Sequence, residues 1–452
     1  MKRAIFLVAA LAAGIPALAQ TIDISPLDAL AAGDAFTLTL TGLPPDASVL
    51  VVAERARMER SRMSVYRSSA RFRSSGSGTI DLARQAPLEG SYAHADVTGL
   101  FWSMAPVGER DSNALAPGVV RLTALLDGQT VASRQIVLDD PLAQVRVDKA
   151  VPFPGALLMR PRAAGRRPAV IVLGGSEGGV RSASEIAQRL AAHGYAALAL
   201  PYFSPDVPGQ GQREFKELPA SFVDIPIDRL NAVRAWLGRQ DDIDGKRIAL
   251  YGYSKGAEFA LLAATKLGWP GAVVAVAPSD VVWQGWNAAA PGAEQRSSFS
   301  FAGVPLPFVP YGDFTAEMAG FRTGADVRYR RPFEQGRAAH PEAASAARIR
   351  VEDIQAPVLV AGADDDQMWD SGTMTRAIAV RRRAAGLETV ALTFPDGGHM
   401  LNGTGLEPTG GYNAGPFKVG GTPEGSAHSQ AEVWHAALAF LHRALWAKSA
   451  DD

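Results

Sequence analysis

The clearest chemical signal in the chain is a serine framed by glycines, residues 252–256 (GYSKG), in the pattern G-x-S-x-G. The apolar run at 248–251 predicts a strand before it, and a helix is predicted to open at Ala257. A serine on a tight turn between strand and helix exposes its hydroxyl, and the helix N-terminus directs positive partial charge at a developing oxyanion. This context predicts Ser254 as a nucleophile.

A histidine late in the chain could supply the base that a serine hydroxyl needs. His399 ends the segment 395–399 (PDGGH), directly after a strand predicted over residues 390–394. His340 and His428 lie in predicted loops and are alternatives, whereas the other four histidines fall in predicted helices or in the N-terminal part. The position after a late strand favours His399 as the general base.

Three consecutive aspartates, residues 364–366, follow the strand predicted before Gly362 and could supply the acid that orients the histidine. Counted forward from Gly362 the pattern favours Asp365, and counted back from Trp369 it favours Asp366. We prefer Asp365 and keep Asp366 as the alternative. The chain order serine, aspartate, histidine is typical of α/β-hydrolases.

A glycine-rich loop, residues 174–179 (GGSEGG), follows the strand predicted over residues 169–173. The backbone N–H groups of Gly175 and Ser176, together with that of Lys255, are the predicted donors of an oxyanion hole. The loop has neither the G-x-x-x-x-G-K-[ST] nor the G-x-G-x-x-G pattern, so it does not predict a phosphate cradle. No cofactor is predicted, because the chain itself carries the nucleophile.

Two kinds of hydrophobic pattern indicate how the chain positions these residues. From residue 20 to 147 the segments are short, rich in β-branched residues and separated by turns, which is typical of a β-sandwich. The strands of this region are predicted at residues 35–40, 48–53, 78–82, 119–126 and 131–138.

From residue 148 to 449 predicted strands alternate with predicted helices, which indicates an α/β-hydrolase domain with a mostly parallel sheet flanked by helices. The alternation lapses over residues 282–349, where a lid-like insertion is predicted. Six aromatic residues there could line an acyl pocket or form the insertion's own core: Trp283, Trp286, Phe299, Phe301, Phe308 and Tyr311.

The N-terminus has the layout of a secretory signal peptide over residues 1–19. Lys2 and Arg3 precede an apolar run at residues 4–13, and residues 17–19 (ALA) end in small-x-small. The run is too short, with Gly14 and Pro16 after it, to favour a membrane anchor. We therefore expect a periplasmic or secreted protein with no integral membrane span in the mature chain.

Composition excludes several other functions. The 452 residues are 47% hydrophobic and 20% charged with a formal net charge of −1, so there is no basic field for nucleic acid. The absence of cysteine excludes disulfides, thiolate metal sites and a cysteine nucleophile. The aspartate run lacks the spacing of a calcium loop, and no metal is predicted.

Residues 90–106 (GSYAHADVTGLFWSMAP) resemble the N-terminal signature of the acyl-CoA thioesterase and bile acid-CoA:amino acid N-acyltransferase family. The catalytic landmarks of that family are matched by residues 174–179, residues 252–256, the aspartate run with Trp369, and His399. The resemblance therefore covers nearly the whole mature sequence. The aspartate run has one residue more than the family pattern.

The resemblance implies a serine hydrolase that cleaves acyl thioesters through an acyl-serine intermediate. Family members that transfer the acyl group to an amino acid use cysteine as nucleophile, so Ser254 implies that water is the acceptor. The expected partner is a small-molecule acyl ester or thioester. Because the same triad serves esters, thioesters and amides, an exported carboxylesterase or peptidase-type hydrolase stays an alternative, as does a non-enzymatic binding module.

Overall fold

The structure is a computed structural model that describes residues 19–446, apart from residues 28, 60–61, 108–114, 117, 139–144, 206–212 and 287–294. The predicted signal peptide lies outside the described residues except for its last position, Ala19. Across the described ranges, no helix combines the length and apolar character needed to cross a membrane.

The N-terminal part is built of antiparallel strands. Its elements are β1 (Thr21–Ser25), α1 (Ala29–Ala32), β2 (Thr37–Thr41), β3 (Ser48–Glu59), β4 (Arg62–Arg73), β5 (Ile80–Asp81), β6 (Glu89–Gly90), α2 (Gly99–Trp102), β7 (Ala105–Pro106), β8 (Val119–Leu126) and β9 (Gln129–Val137). One sheet has the order β1-β2-β5, and a second has the order β6-β4-β3-β8-β9 with β7 beside β4.

Period-two alternation explains why these two sheets face each other. Along β8 the residues Val120, Leu122 and Ala124 are buried, while their neighbours are partly exposed. These side chains share one apolar cluster with Leu38 and Leu40 of the first sheet. Two antiparallel sheets around a common core form the predicted sandwich.

The C-terminal part alternates strands and helices. Its elements are β10 (Val145–Asp148), β11 (Leu157–Pro161), β12 (Arg167–Leu173), α3 (Arg181–Ala192), β13 (Ala196–Ala199), β14 (Ile225–Pro226), α4 (Arg229–Leu237), β15 (Ile243–Tyr253), α5 (Lys255–Leu267), β16 (Ala272–Val276), β17 (Phe299–Phe301), β18 (Val304–Pro305), α6 (Phe314–Met318), α7 (Gly320–Thr323), α8 (Arg330–Ala339), α9 (Pro341–Ala346), a 3-10 turn (Val351–Asp353), β19 (Val358–Ala363), α10 (Ser371–Ala384), β20 (Thr389–Phe394) and α11 (Pro423–Trp446). The helix predicted to open at Ala257 begins two residues earlier.

The main sheet has the order β10-β11-β13-β12-β15-β16-β19-β20. β10, β11 and β13 pair antiparallel, and the strands from β13 to β20 pair in parallel. Alternate residues of β12 point to opposite faces: Ile171 joins the core layer that contains α5, and Val172 joins the layer that contains α3 and α11. The mostly parallel sheet flanked by helices is the predicted α/β-hydrolase class.

The insertion between β16 and β19 packs onto this sheet. β17 and β18 form a small sheet with β14, which lies outside the insertion. Trp283, Phe299 and Val309 belong to the same buried cluster as the sheet residues. The described insertion therefore extends the main core along one side of the sheet.

Candidate active site

Ser254 stands between β15 and α5 with its backbone in the left-handed half of conformational space, φ 55° and ψ −121°. Its N–H donates to the carbonyl oxygen of Val276 at 2.9 Å. Only glycine fits at the two flanking positions, since a Cβ on Gly252 would meet the backbone of Gly256, and a Cβ on Gly256 would meet the carbonyl oxygen of Leu173. The two glycines thus allow a strained turn that aims the Ser254 hydroxyl away from the sheet.

His399 lies in the loop after β20, and its Nε2 is 2.9 Å from Ser254 Oγ. Its backbone N–H donates to the carbonyl oxygen of Val419 at 2.8 Å. The imidazole packs between two rings, with centroids 5.6 Å from Tyr253 and 5.7 Å from Trp369. Backbone and ring contacts together hold the imidazole against Ser254.

Asp366, and not Asp365, meets the histidine. Asp366 Oδ2 lies 2.8 Å from His399 Nδ1, and the carboxylate is fully buried. Because a buried carboxylate accepts hydrogen bonds, Nδ1 carries the proton and Nε2 is free to accept one from Ser254. The preference for Asp365 is therefore corrected to the alternative residue, Asp366.

Three further donors fix the Asp366 carboxylate. Oδ1 accepts the N–H groups of Met368 at 2.8 Å and Trp369 at 3.2 Å. Oδ2 accepts the hydroxyl of Ser371 at 2.6 Å, besides the imidazole. Ser371 is fully buried. It was not identified from the sequence, because no motif distinguishes Ser371 from the other serines of the chain.

The two neighbouring aspartates have other partners. Asp364 Oδ1 lies 2.6 Å from Arg376 Nη1. Asp365 is exposed; its Oδ2 accepts the N–H of Gly421 at 2.8 Å, and its Oδ1 accepts the Gln367 amide at 2.6 Å. Asp364 therefore links its loop to α10, and Asp365 links it to the loop that carries Gly421.

The three predicted oxyanion donors differ in whether their backbone N–H groups are already hydrogen-bonded. Lys255 is the first residue of α5, so its N–H is among those that an α-helix leaves without an intrahelical acceptor. The Gly175 N–H is engaged, because it donates to Glu177 Oε1 at 3.1 Å. A side chain at Gly175 would contact both Glu177 Oε2 and Ser254 Cβ, which places the Glu177 carboxylate beside Ser254. Gly175 is thus not a free donor here, and Ser176 lies next to it in the same loop.

The Lys255 side chain forms a buried ion pair that sequence reasoning missed. Its Nζ lies 2.6 Å from Glu258 Oε2 and 2.9 Å from Ser298 Oγ, and Glu258 Oε1 accepts the Trp283 N–H at 3.1 Å. Burial lowers the pKa of Lys255 and raises that of Glu258, while the ion pair opposes both shifts. The i, i+3 spacing of opposite charges in an apolar helix was the available signal.

The aromatic residues of the insertion serve mainly as core. Trp283 and Phe299 are buried in the main apolar cluster, and the remaining four pack against it while partly exposed: Trp286, Phe301, Phe308 and Tyr311. The Trp283 ring also makes an edge-to-face contact with Phe333 of α8, with ring centroids 4.7 Å apart. For Trp283 and Phe299, the core interpretation is the one that fits the structure.

The two alternative histidines, His428 and His340, have other positions and partners. His428 belongs to α11, not to a loop as predicted, and its Nε2 lies 2.9 Å from Asp96 Oδ2. His340 lies between α8 and α9. In the described part of the chain, no group of three or more His, Cys, Asp or Glu residues could hold a metal ion.

Comparison with known proteins gives three family matches. The model described as the acyl-CoA thioester hydrolase/BAAT N-terminal region matches residues 34–151, and the one described as BAAT/acyl-CoA thioester hydrolase C terminal matches residues 230–447. A model of the dienelactone hydrolase family matches residues 155–287. The first two models belong to one family and together cover both parts of the chain.

Curated relatives are similar over nearly the full length. Acyl-coenzyme A thioesterase 6 is 25% identical in Homo sapiens and 24% in Mus musculus, each over 95% of this chain and 97% of the relative. Peroxisomal succinyl-coenzyme A thioesterase of Mus musculus is 25% identical over 85% of this chain and 86% of its own length. With the family matches and the α/β-hydrolase fold, the chain belongs to the acyl-CoA thioester hydrolase/BAAT family and is a hydrolase of thioester or ester bonds.

Proposed function

We propose that the protein hydrolyses acyl-CoA-type thioesters with Ser254 as nucleophile, His399 as general base and Asp366 as the acid that orients it. The observation that carries the proposal is the hydrogen-bonded series from Ser254 Oγ through both imidazole nitrogens to Asp366 Oδ2, at 2.9 and 2.8 Å. All three side chains are buried, so bulk water competes little for these bonds.

In acylation, His399 Nε2 accepts the Ser254 proton as Oγ attacks the thioester carbonyl. The imidazolium that forms is stabilised by Asp366, which stays ionised. The negative charge on the former carbonyl oxygen is stabilised by the Lys255 N–H and the N-terminus of α5. Collapse of the tetrahedral intermediate breaks the carbon–sulfur bond, and the thiolate takes the proton from Nε2.

Deacylation repeats these steps with water. His399 Nε2 accepts a proton from water as the water oxygen attacks the acyl-serine ester. Collapse of the second intermediate releases the carboxylic acid, and Nε2 returns the proton to Ser254 Oγ. Because the nucleophile is a serine, the acyl-enzyme is an ordinary ester that water can cleave, and this supports hydrolysis over transfer to an amine.

The relatives support thioesters as the substrate class, since they are named as acyl-CoA and succinyl-CoA thioesterases. The test compares four acyl donors that carry the same acyl chain: an acyl-CoA, its N-acetylcysteamine thioester, its p-nitrophenyl ester and its p-nitroanilide. We expect the highest kcat/KM for a thioester. The ratio between the two thioesters measures how much the nucleotide part of CoA contributes. A faster ester, or an active amide donor, would favour the esterase or peptidase alternative.

Ser254→Ala tests the nucleophile in the same assay. We expect turnover to fall by about 10⁴-fold or more, because the acyl-enzyme route is lost. Ser184→Ala is a matched control on α3, where the Ser184 hydroxyl donates to the carbonyl oxygen of Arg181. Full turnover by folded Ser254→Ala protein, or failure of a fluorophosphonate probe to label the wild type at Ser254, would overturn the proposal.

We further propose that the chain is exported and that its signal peptide is cleaved near residue 19. Support comes from the basic residues Lys2 and Arg3, the apolar run that follows them and the ALA sequence at 17–19. Expression in a bacterial host, fractionation and N-terminal sequencing test this. A mature N-terminus near Gln20 in the periplasm or medium is the expected result. An uncleaved protein in the cytosol would contradict it.

A further inference from the structure

Residues 364–370, the acid loop, carry Asp366 and accept several polar contacts from one arginine of the insertion, Arg330. Arg330 is the first residue of α8. Its Nη1 donates to the carbonyl oxygen of Asp364 at 2.9 Å and to that of Asp366 at 3.2 Å. Its Nη2 lies 3.0 Å from Asp370 Oδ2, and its backbone N–H donates to the Gln367 carbonyl oxygen at 2.9 Å. One residue thus contacts positions spread over the whole loop.

These contacts act on the peptide from which the Asp366 side chain projects. The loop runs from β19 to α10 without regular secondary structure, so its carbonyl groups need partners from outside a helix or sheet. A guanidinium group presents several donors in one rigid plane and can bind two carbonyl oxygens and a carboxylate together. With the Asp366 carbonyl fixed, the Cα–Cβ bond of Asp366 has a defined direction toward His399.

The far end of the loop is fixed by the same arginine. Asp370, which pairs with Arg330, also caps α10 by accepting the Thr373 N–H at 3.2 Å. Ser371 follows at once and donates its hydroxyl to Asp366 Oδ2. Arg330 therefore contacts the backbone of Asp366 and, through Asp370, the start of the helix that supplies another donor to its carboxylate.

We propose that Arg330 is a positioning residue for the hydrolytic reaction. From its place in the insertion, it holds the acid loop, residues 364–370, so that the Asp366 carboxylate contacts His399. The inference rests on the proposed function, in which Asp366 is the acid of the triad. It assigns the insertion a part in catalysis through α8, in addition to its packing against the sheet. Arg330 acts through Asp366 and not on the substrate.

A double-mutant cycle separates positioning from mere structural support. Arg330→Met, Arg330→Lys, Asp366→Asn and the double variant Arg330→Met/Asp366→Asn are compared for kcat and KM on a thioester. We expect Arg330→Met to lower kcat by ~10- to 100-fold with KM nearly unchanged, since small misplacements of catalytic groups have effects of this size. Arg330→Lys keeps the charge without the planar fork and should fall between. In the Asp366→Asn background, Arg330→Met should change kcat by less than about twofold, because interacting residues are not additive.

Arg331→Met is the matched control, because the neighbouring Arg331 pairs with Glu317 and not with the acid loop. Circular dichroism and thermal unfolding give the folded fraction, to which each kcat is normalised; if Arg330→Met does not fold, Arg330→Lys takes its place in the cycle. Wild-type kcat in the Arg330 variant, or an equal loss in both backgrounds, would overturn the inference. Full activity of Asp366→Asn would instead overturn the proposed triad, so the two failures are distinguishable.

Discussion

His399 Nδ1 lies 2.8 Å from Asp366 Oδ2, whereas the carboxylate of Asp365, one residue earlier, faces the backbone N–H of Gly421 at 2.8 Å. Two adjacent carboxylates therefore have different partners because the loop turns between them. The N–H groups of Met368 and Trp369 donate to the Asp366 carboxylate and hold it in the interior. The Gln367 side-chain amide donates to the Asp365 carboxylate, which is exposed to solvent. Position in this turn, rather than residue type, decides which aspartate can contact His399.

Asparagine substitutions at the two aspartates should have very different effects. Asp366→Asn keeps the shape but presents an amide to Nδ1, which favours the wrong tautomer, and we expect kcat to fall by ~10⁴-fold. Asp365→Asn should change kcat by less than about threefold, because the exposed Asp365 carboxylate contacts only the Gly421 N–H and the Gln367 amide. Steady-state kinetics on one thioester, with thermal unfolding as a check on folding, measure both. Comparable losses in the two variants would refute the assignment of the acid.

The sequence predicted those features of the site that depend on local pattern. Ser254 was identifiable because a strand, two glycines and a helix must meet at the turn, and all of these are encoded within a few residues. His399 followed from its place after the strand that became β20. The acid was ambiguous by one residue, because hydrogen bonds in the 364–370 loop, which spacing does not encode, decide between Asp365 and Asp366.

Features that depend on distant or charged partners could not be predicted. Gly175 had the right loop and glycine content for an oxyanion donor, but its N–H is taken by a side chain two residues away. The strand β4 escaped notice because interior arginines and serines break its apolar pattern, although Val65 and Phe72 are buried. The contacts of Arg330 with the acid loop depend on the folded insertion, where periodic patterns lapse.

Glu177→Gln tests whether the occupied Gly175 N–H can serve the reaction. In the free protein the Glu177 carboxylate holds this N–H and must leave before a substrate oxygen can bind it. A neutral amide forms a weaker bond than a carboxylate by roughly 1 kcal/mol, so we expect kcat/KM to rise by about fivefold. Initial-rate kinetics at low substrate concentration measure the change. A fall in kcat/KM would mean that the carboxylate supports the loop, through its bond to the Ser182 hydroxyl, more than it blocks the donor.

Lys255→Met tests the buried ion pair next to Ser254. Removing one partner leaves the Glu258 carboxylate buried and unpaired, which should lower the free energy of unfolding by about 3–5 kcal/mol. Without the ion pair, burial raises the pKa of Glu258 above its usual value of 4.5, and the hydrogen bond from the Trp283 N–H opposes that shift. Because the pKa of Glu258 is higher in the folded variant than in the unfolded chain, stability that is fully present below pH 4.5 is lost as the pH rises through the pKa of the folded variant. The free energy of unfolding of the variant should therefore be lowest at alkaline pH.

The double variant Lys255→Met/Glu258→Gln is the control for this pH dependence. Glutamine keeps an acceptor for the Trp283 N–H but carries no charge, so the added pH dependence should disappear and part of the stability should return. Urea unfolding at pH 5 and pH 8.5 measures both effects. A single variant whose loss of stability is the same at the two pH values would contradict the explanation based on an unpaired carboxylate.

The contact between the N-terminal part and α11 should depend on pH through His428 and Asp96. Their side chains lie 2.9 Å apart, and Asp96 also accepts hydrogen bonds from the Trp102 indole and from Thr98. Burial alone would raise the pKa of Asp96, but these hydrogen bonds outweigh it and lower the pKa to about 2. The hydrogen bond that the His428 ring donates to Asp96 raises the pKa of His428 above its usual 6.5.

The two shifts define the pH range in which this pair stabilises the fold. The lowered pKa of Asp96 adds stability above its usual value of 3.8, which is lost as the pH falls toward 2. The raised pKa of His428 adds stability that is fully present below pH 6.5 and is lost as the pH rises through the folded value. His428→Gln should therefore lower Tm more at pH 5.5 than at pH 8.5, by a modest amount because the imidazole is half-exposed and screened by water. Thermal unfolding at the two pH values measures the difference, with His442→Gln on the same helix as control; an equal decrease in Tm at both would show that His428 contributes by packing against Trp102 and not by its charge.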